Sequence, residues 1–315
     1  MSTSQDNIIR FYAQQATNED NRLLSHPMER ELTLRAIQQT LEISGFAQSL
    51  PKRIVDIGGG TGRLAFRLAD EGYHVDLIDL SPGLVHLAQT EQERRAAIGS
   101  QALLKSINVG NALDKPTFPE NSYDAVLLLG PLYHLLYEPE RIQAIENAIR
   151  IAKPQNGFIF CAFISREAHL RDLAMRDPAR IVKQRDFYDQ YVRTFPFQPD
   201  DICPQIHQES NGTFLRQLRD GRYQRFNETL GVNAQSFHAT YDYIEKFFQS
   251  NFTHSTDLLN IRSTEGILGG RLDQQLAQSS DEVMAAWADL MFENYSTNAQ
   301  HLGCADHLLV TLRKK

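Results

Sequence analysis

The chain has 315 residues, with 32 basic and 39 acidic side chains, a net charge of −7 and a 42% apolar fraction. Its length suggests one core domain with appended or inserted elements, and its acidic balance, without a Lys or Arg block, speaks against holding long nucleic acid. No run approaches the ~18 apolar residues of a membrane span, Met1 to Asn7 lack a secretory pattern, and Cys161, Cys203 and Cys304 are too scattered for a zinc or disulfide framework. A cytoplasmic protein with no membrane or nucleic-acid partner and no metal is therefore expected.

Taken in order, Pro27 to Ile43 carries Met28, Leu32, Ala36, Ile37 and Leu41 at helical spacing, with Gly45 placed to end the helix. Arg53 to Ile57 is a short apolar run that ends in a glycine cluster, and a helix over Arg63 to Glu71 follows. His74 to Asp79 predicts a second strand. Ser81 and Pro82 then open a helix as N-cap and first-turn residue. Leu103 to Val109 and Tyr123 to Leu129 predict strands three and four. A helix starting near Pro139 and stopped by Pro154 leads to strand five, Phe158 to Ile164.

Apolar strands alternating with helices imply an α/β fold whose parallel sheet is covered on both faces. The alternation breaks after Ile164, and residues 166–226 read as an insertion over the ligand side of the sheet. Beyond it, Tyr241 to Phe248 reads as a helix, Ser255 to Ile261 as a strand, Glu282 to Tyr295 as a helix and His307 to Leu312 as a closing strand. The expected division is 1–50 as an N-terminal helical lid, 51–165 with 227–315 as the core, and 166–226 as a substrate cap.

The loop Val55-Asp-Ile-Gly-Gly-Gly-Thr-Gly62 sits between strand one and a helix, where open α/β sheets bind ligands. Its glycines let the backbone approach a ligand closely, and Asp79, ending strand two, is placed to accept from a ribose. Any adenosine-containing cofactor satisfies this pattern. Gly60, Gly62 and Ala65 also meet the G-x-G-x-x-A dinucleotide fingerprint, which keeps a dehydrogenase open as an alternative. Asp56 points the other way: a carboxylate there repels a pyrophosphate but not a sulfonium or an ammonium.

Four blocks in order carry a resemblance to the class I S-adenosylmethionine-dependent methyltransferases. They are Val55 to Gly62; Leu77-Ile-Asp-Leu-Ser-Pro82; Gly110-Asn-Ala112 followed by Tyr123 to Leu135; and Ile151-Ala-Lys-Pro-Gln-Asn-Gly157. The resemblance spans about Pro51 to Ser165. It implies a Rossmann-like, seven-stranded, mostly parallel sheet of order 3-2-1-4-5-7-6 with the last strand antiparallel, and S-adenosylmethionine as cofactor. Asp79 would hold the ribose hydroxyls, Leu80 would pack on the adenine, and Asn111 and Ala112 would lie at its edge. Asp56, Gly58, Gly59 and Gly60 would pass by the methionine part, with Leu129 and Gly130 lining it. The segment holding Tyr12 would fold over the cofactor as a lid, with Tyr12 contacting the methionine end; its plainer reading is a flexible polar arm. The family's usual aspartate is replaced here by Asn111, whose side-chain carbonyl can still accept.

Methyl transfer is an in-line displacement governed by alignment, so a base to free the acceptor's lone pair is the one side chain the chemistry asks for. His134, just after strand four, is the candidate base; a loop-bracing role is its plainer reading. Tyr133 beside it either points into the pocket or packs. His207 and His238, in or near the insertion, could each touch substrate; the plainer reading of each is an ordinary polar surface residue. Aromatic residues from Phe187 to Tyr241 either line a small-molecule pocket or form the insertion's own small core. The expected activity is methylation of an oxygen or nitrogen of a small molecule, with a protein or RNA acceptor, or cofactor binding without catalysis, as alternatives.

Overall fold

A computed structural model describes residues 5–12, 26–43, 52–115, 117–176, 220–227 and 231–315. Its strands are β1 (Arg53–Ile57), β2 (His74–Asp79), β3 (Ser106–Val109), β4 (Ala125–Leu128), β5 (Phe158–Ser165), β6 (Arg222–Asn227), β7 (Val232–Ala239), β8 (Thr256–Ser263) and β9 (His307–Lys314). Its helices are α1 (residues 5–12), α2 (Pro27–Ile43), α3 (Arg63–Asp70), α4 (Pro82–Ala97), α5 (Glu138–Ile151), α6 (Arg166–Arg176), α7 (Tyr241–Asn251) and α8 (Asp281–Asn294).

Strands β1 to β5 pair in parallel in the order β3-β2-β1-β4-β5, and β9 runs antiparallel along β5 from Phe158 to Ile164 with β8 antiparallel beyond it. Counting β8 and β9 as the sixth and seventh strands gives the expected order with its antiparallel last strand. The expected count of seven is corrected to nine among the described residues, because the β6–β7 hairpin joins the sheet as well. Ile164 pairs with both His307 of β9 and His238 of β7, so β7 occupies the other edge of β5, past the end of β4. There β4 has already turned into a short 3-10 segment, Leu132–His134. The hairpin thus fills the edge that β4 vacates, directly over the predicted site. Strand β6 also runs across the boundary at 226 expected between cap and core.

The two sheet faces bury different sets of side chains because successive residues of a strand point opposite ways. Ile159, Cys161 and Phe163 of β5 join α5 and α7 on one face, while Phe158 and Phe160 join α2, α3 and α8 on the other. Helix α4 starts as its sequence implies, with the Ser81 hydroxyl accepting from the Leu84 N–H and Pro82 at N1. The first turn of α2 is capped from a distance: Asp273 Oδ2 accepts from the Met28 N–H at 3.2 Å, and its Oδ1 lies 3.1 Å from His26 Nδ1. That cap fixes the end of α2 carrying Glu29. Gly45, His207, and the aromatics Phe187, Tyr188, Tyr191, Phe195, Phe197 and Phe214 lie outside the described residues.

Candidate active site

At the carboxyl ends of β1, β2 and β4 lies a cavity of about 220 Å³. Its walls include every residue assigned above to the cofactor: Tyr12, Asp56, Gly58, Gly59, Gly60, Asp79, Leu80, Asn111, Ala112, Leu129 and Gly130, together with Tyr133 and His134. The glycine loop is shaped by contact as well as by conformation. Gly58 adopts φ +79°, and a Cβ there would lie 2.7 Å from the Pro131 ring, so the loop rests directly on the turn after β4. A Cβ on Gly59 would come equally close to the Asp56 carboxylate, at 2.7 Å.

Two buried carboxylates face this cavity. Asp79 Oδ2 accepts from the Gly60 N–H at 2.9 Å and Oδ1 from the Ser81 N–H at 2.8 Å, which aims the carboxylate across the mouth of the loop. Burial raises the Asp79 pKa, and these two backbone donors partly offset the rise. Asp56 is pushed up to about 7, chiefly by burial and then by the Asp79 charge. Both groups gain by meeting a ligand that is cationic or rich in hydroxyl donors. Asn111 differs from expectation in detail, since its Oδ1 accepts from the Leu113 N–H at 3.0 Å and closes a local turn. One lone pair of that carbonyl is therefore engaged within the chain.

His134 is held from two sides. Its Nδ1 lies 3.2 Å from the backbone oxygen of Gln235 on β7, and its Nε2 lies 2.7 Å from the Tyr12 hydroxyl. A carbonyl only accepts, so Nδ1 carries the proton; in the neutral ring Nε2 then accepts from Tyr12. The Gln235 side chain returns a bond to the His134 carbonyl at 3.0 Å, locking strand to turn. Tyr133 packs its ring 4.8 Å from that of His134 and 6.4 Å from that of His307.

A second cavity, of about 320 Å³, shares Tyr12, Glu29, Tyr133, His134 and His307 with the first. Its remaining wall includes Ala168, Asp172 and Met175 of α6, His238 of β7 and Glu265 after β8. Of the two readings of His238, the surface one is corrected: the residue is buried, with Nε2 2.8 Å from the Ser236 hydroxyl, in the wall of this cavity. Gln235, Glu29, Glu265 and His307 carry no motif at all. They meet only because α2, β7, β8 and β9 converge, and no spacing along the chain announces it.

The comparisons agree with this geometry. A methyltransferase-domain family model matches residues 54–155. The chain is 30% identical over 188 residues to a demethylmenaquinone methyltransferase of Clavibacter sepedonicus, covering 58% of this chain and 71% of that one. It is 25% identical over 194 residues to a ubiquinone/menaquinone biosynthesis C-methyltransferase of Paracoccus denitrificans, covering 58% and 72%. Across the first relatives the matched share of their length is 65% to 72%. The fold is also that of a magnesium protoporphyrin IX methyltransferase of Synechocystis solved with S-adenosylmethionine, at 11% identity and a TM-score of 0.52 over 99% of this chain and 98% of that one. The chain belongs to the class I S-adenosylmethionine-dependent methyltransferases. The dehydrogenase alternative falls, and S-adenosylmethionine is the cofactor. No helix among the described residues is long and apolar enough to cross a membrane.

Proposed function

We propose that this methyltransferase acts on a small molecule seated in the second cavity, at an oxygen or nitrogen that releases its proton toward His134. The observation that carries the reading is the position of His134 in the wall common to both cavities, with Nδ1 on the Gln235 carbonyl and Nε2 on the Tyr12 hydroxyl. Such anchoring presents Nε2 as a proton acceptor, the arrangement a general base requires.

Asp79 is placed for the ribose hydroxyls, Leu80 for the adenine face, and Asn111 with Ala112 for its edge. Asp56 and the Gly58–Gly60 backbone receive the methionine part, beside Leu129 and Gly130. When bound, the cofactor supplies an electrophilic methyl carbon on a sulfonium. The chain holds the acceptor in line with that methyl, excludes water, and takes the acceptor's proton through Tyr12 onto His134 Nε2 or onto Nε2 directly. A carbon acceptor is the second reading, favoured by the Paracoccus relative's name. The base would serve it equally, by deprotonating a hydroxyl that makes the neighbouring carbon nucleophilic.

An acceptor is found by screening small molecules with methyl-labelled cofactor, and the variants are then compared in single turnovers across pH. His134→Gln should bind S-adenosylhomocysteine within a few-fold of wild type while the chemical step slows by ~10²–10⁴-fold. Tyr12→Phe should slow it too if the proton passes through the phenol. A near-normal rate in His134→Gln removes the base role and leaves His134 as a brace between the β4 turn and β7.

A further inference from the structure

Glu29 lies in the first turn of α2, Glu265 in the turn after β8, and His307 at the first position of β9. Their ligand atoms all lie within 4.8 Å of one another. His307 Nδ1 is 3.0 Å from Glu265 Oε1 and 3.7 Å from Glu29 Oε2. Two donors at about 2.1 Å from a common cation are about 3.0 Å apart at a right angle and about 3.4 Å apart at the tetrahedral angle. The two imidazole–carboxylate spacings are near those of a coordination sphere, and a cation there would draw Glu29 inward and take the place of the His307–Glu265 hydrogen bond.

The Glu265 carboxylate is also fixed in the manner of a metal ligand. Its Oε2 accepts from the Asp306 and His307 N–H groups at 3.0 and 3.2 Å, and its Oε1 accepts from the Thr264 hydroxyl at 2.8 Å. Such outer partners orient a ligating carboxylate and hold its charge in place. Asp306 is itself answered by Arg171 at 2.8 Å. Within the trio two carboxylates converge on one imidazole.

We propose that Glu29, Glu265 and His307 bind a divalent first-row cation at the junction of the two cavities. The donor set, two carboxylates and an imidazole without a thiolate, suits Mn²⁺, Fe²⁺ or Zn²⁺. Glu29 and His307 line both cavities and Glu265 lines the second, so the open side of the cation faces the space assigned to the acceptor. There it would orient an acceptor through that molecule's own oxygen atoms, which restricts the acceptors to oxygen-bearing ones. The cation site rests on the geometry of the trio alone; this narrowing of the acceptors rests on the reading of the second cavity.

The test uses the full chain, stripped with a chelator and titrated with Mn²⁺ under calorimetry and electron paramagnetic resonance. One Mn²⁺ per chain, a rise in melting temperature reversed by chelator, and at least tenfold weaker binding in Glu29→Gln and in Glu265→Gln are expected. Circular dichroism and S-adenosylhomocysteine binding show whether each variant is folded; if Glu265→Gln unfolds, Glu29→Gln still decides. Absence of Mn²⁺ and Zn²⁺ binding below millimolar concentration in wild type overturns the site, as does unchanged affinity in the folded variants. Either result leaves a hydrogen-bonded carboxylate–imidazole cluster. S-adenosylhomocysteine binding to the wild type tests the cofactor site separately, so the two failures are distinguishable.

Discussion

Asp56, next to last in β1, has 3% of its surface exposed, and burial followed by the nearby Asp79 carboxylate pushes its pKa up to about 7. An unfolded aspartate titrates near ~3.9. Between those values the folded protein holds a proton that the unfolded chain has lost, so this group makes stability fall as pH rises from about 4 to about 7 and level off above. A bound cation reverses the preference by favouring the carboxylate. Binding S-adenosylmethionine below pH 7 should therefore release a proton, and affinity should rise with pH by up to about tenfold per unit until the plateau. Calorimetry at pH 6 in buffers of different ionisation enthalpy measures the released proton directly. Asp56→Asn should flatten most of the dependence, leaving the part due to Asp79, whose pKa burial raises as well. An affinity independent of pH in wild type would mean that Asp56 does not face the cofactor's positive charge.

The glycine loop and the turn after β4 form one unit, since Gly58 at φ +79° presses against Pro131. Gly58→Ala sets a Cβ 2.7 Å from that ring and also strains the backbone, so the loop must lift from the turn. Cofactor affinity should fall at least tenfold and the melting temperature should drop. Gly72→Ala is the control: its φ is +90° but a Cβ there meets nothing within 4 Å, so it should lose about 1–2 kcal/mol of stability with cofactor affinity intact. Equal affinity losses in both variants would show that general destabilisation, not loop contact, weakens binding. These elements were legible in sequence because β1 is an apolar run closed by the glycine cluster and β2 one closed by Asp79, and α2 runs from Pro27 to Ile43 as its periodicity predicts. The β6–β7 hairpin was not legible. Arg222–Asn227 reads RYQRFN, a polar run whose strand conformation is decided by pairing with β7 rather than by its own pattern. For the same reason His238 looked like a surface residue: its burial depends on β7 filling the edge left by β4. Asp79 and the glycine loop were readable because their chemistry is local to one strand–turn–helix. The Glu29, Glu265 and His307 cluster was not, because its members lie in three distant segments.

At the scale of the molecule the cavity proposed for the cofactor and the cavity proposed for the acceptor have different origins in the chain. The family model ends at residue 155, whereas α6, β7, the turn after β8 and β9, which wall the second cavity, all lie beyond it. Residues 177–219 join α6, which contributes Ala168, Asp172 and Met175 to that wall, to the hairpin that contributes His238. Helix α6 is tied independently to the core, since Arg171 donates to the Asp306 carboxylate at 2.8 Å and to the Gly303 carbonyl at 2.8 Å. The wall therefore has anchors other than the joining segment. If the segment belongs to the substrate cap, replacing residues 177–219 with a short Gly/Ser linker should abolish methyl transfer. S-adenosylhomocysteine affinity should stay within a few-fold, because the glycine loop, Asp79 and the turn after β4, which line the first cavity, are held by the sheet and lie outside the replaced stretch. Calorimetry with S-adenosylhomocysteine and transfer of labelled methyl to an acceptor found by screening read the two halves separately. Loss of folding would assign the segment to the main core, and full activity would remove it from acceptor binding.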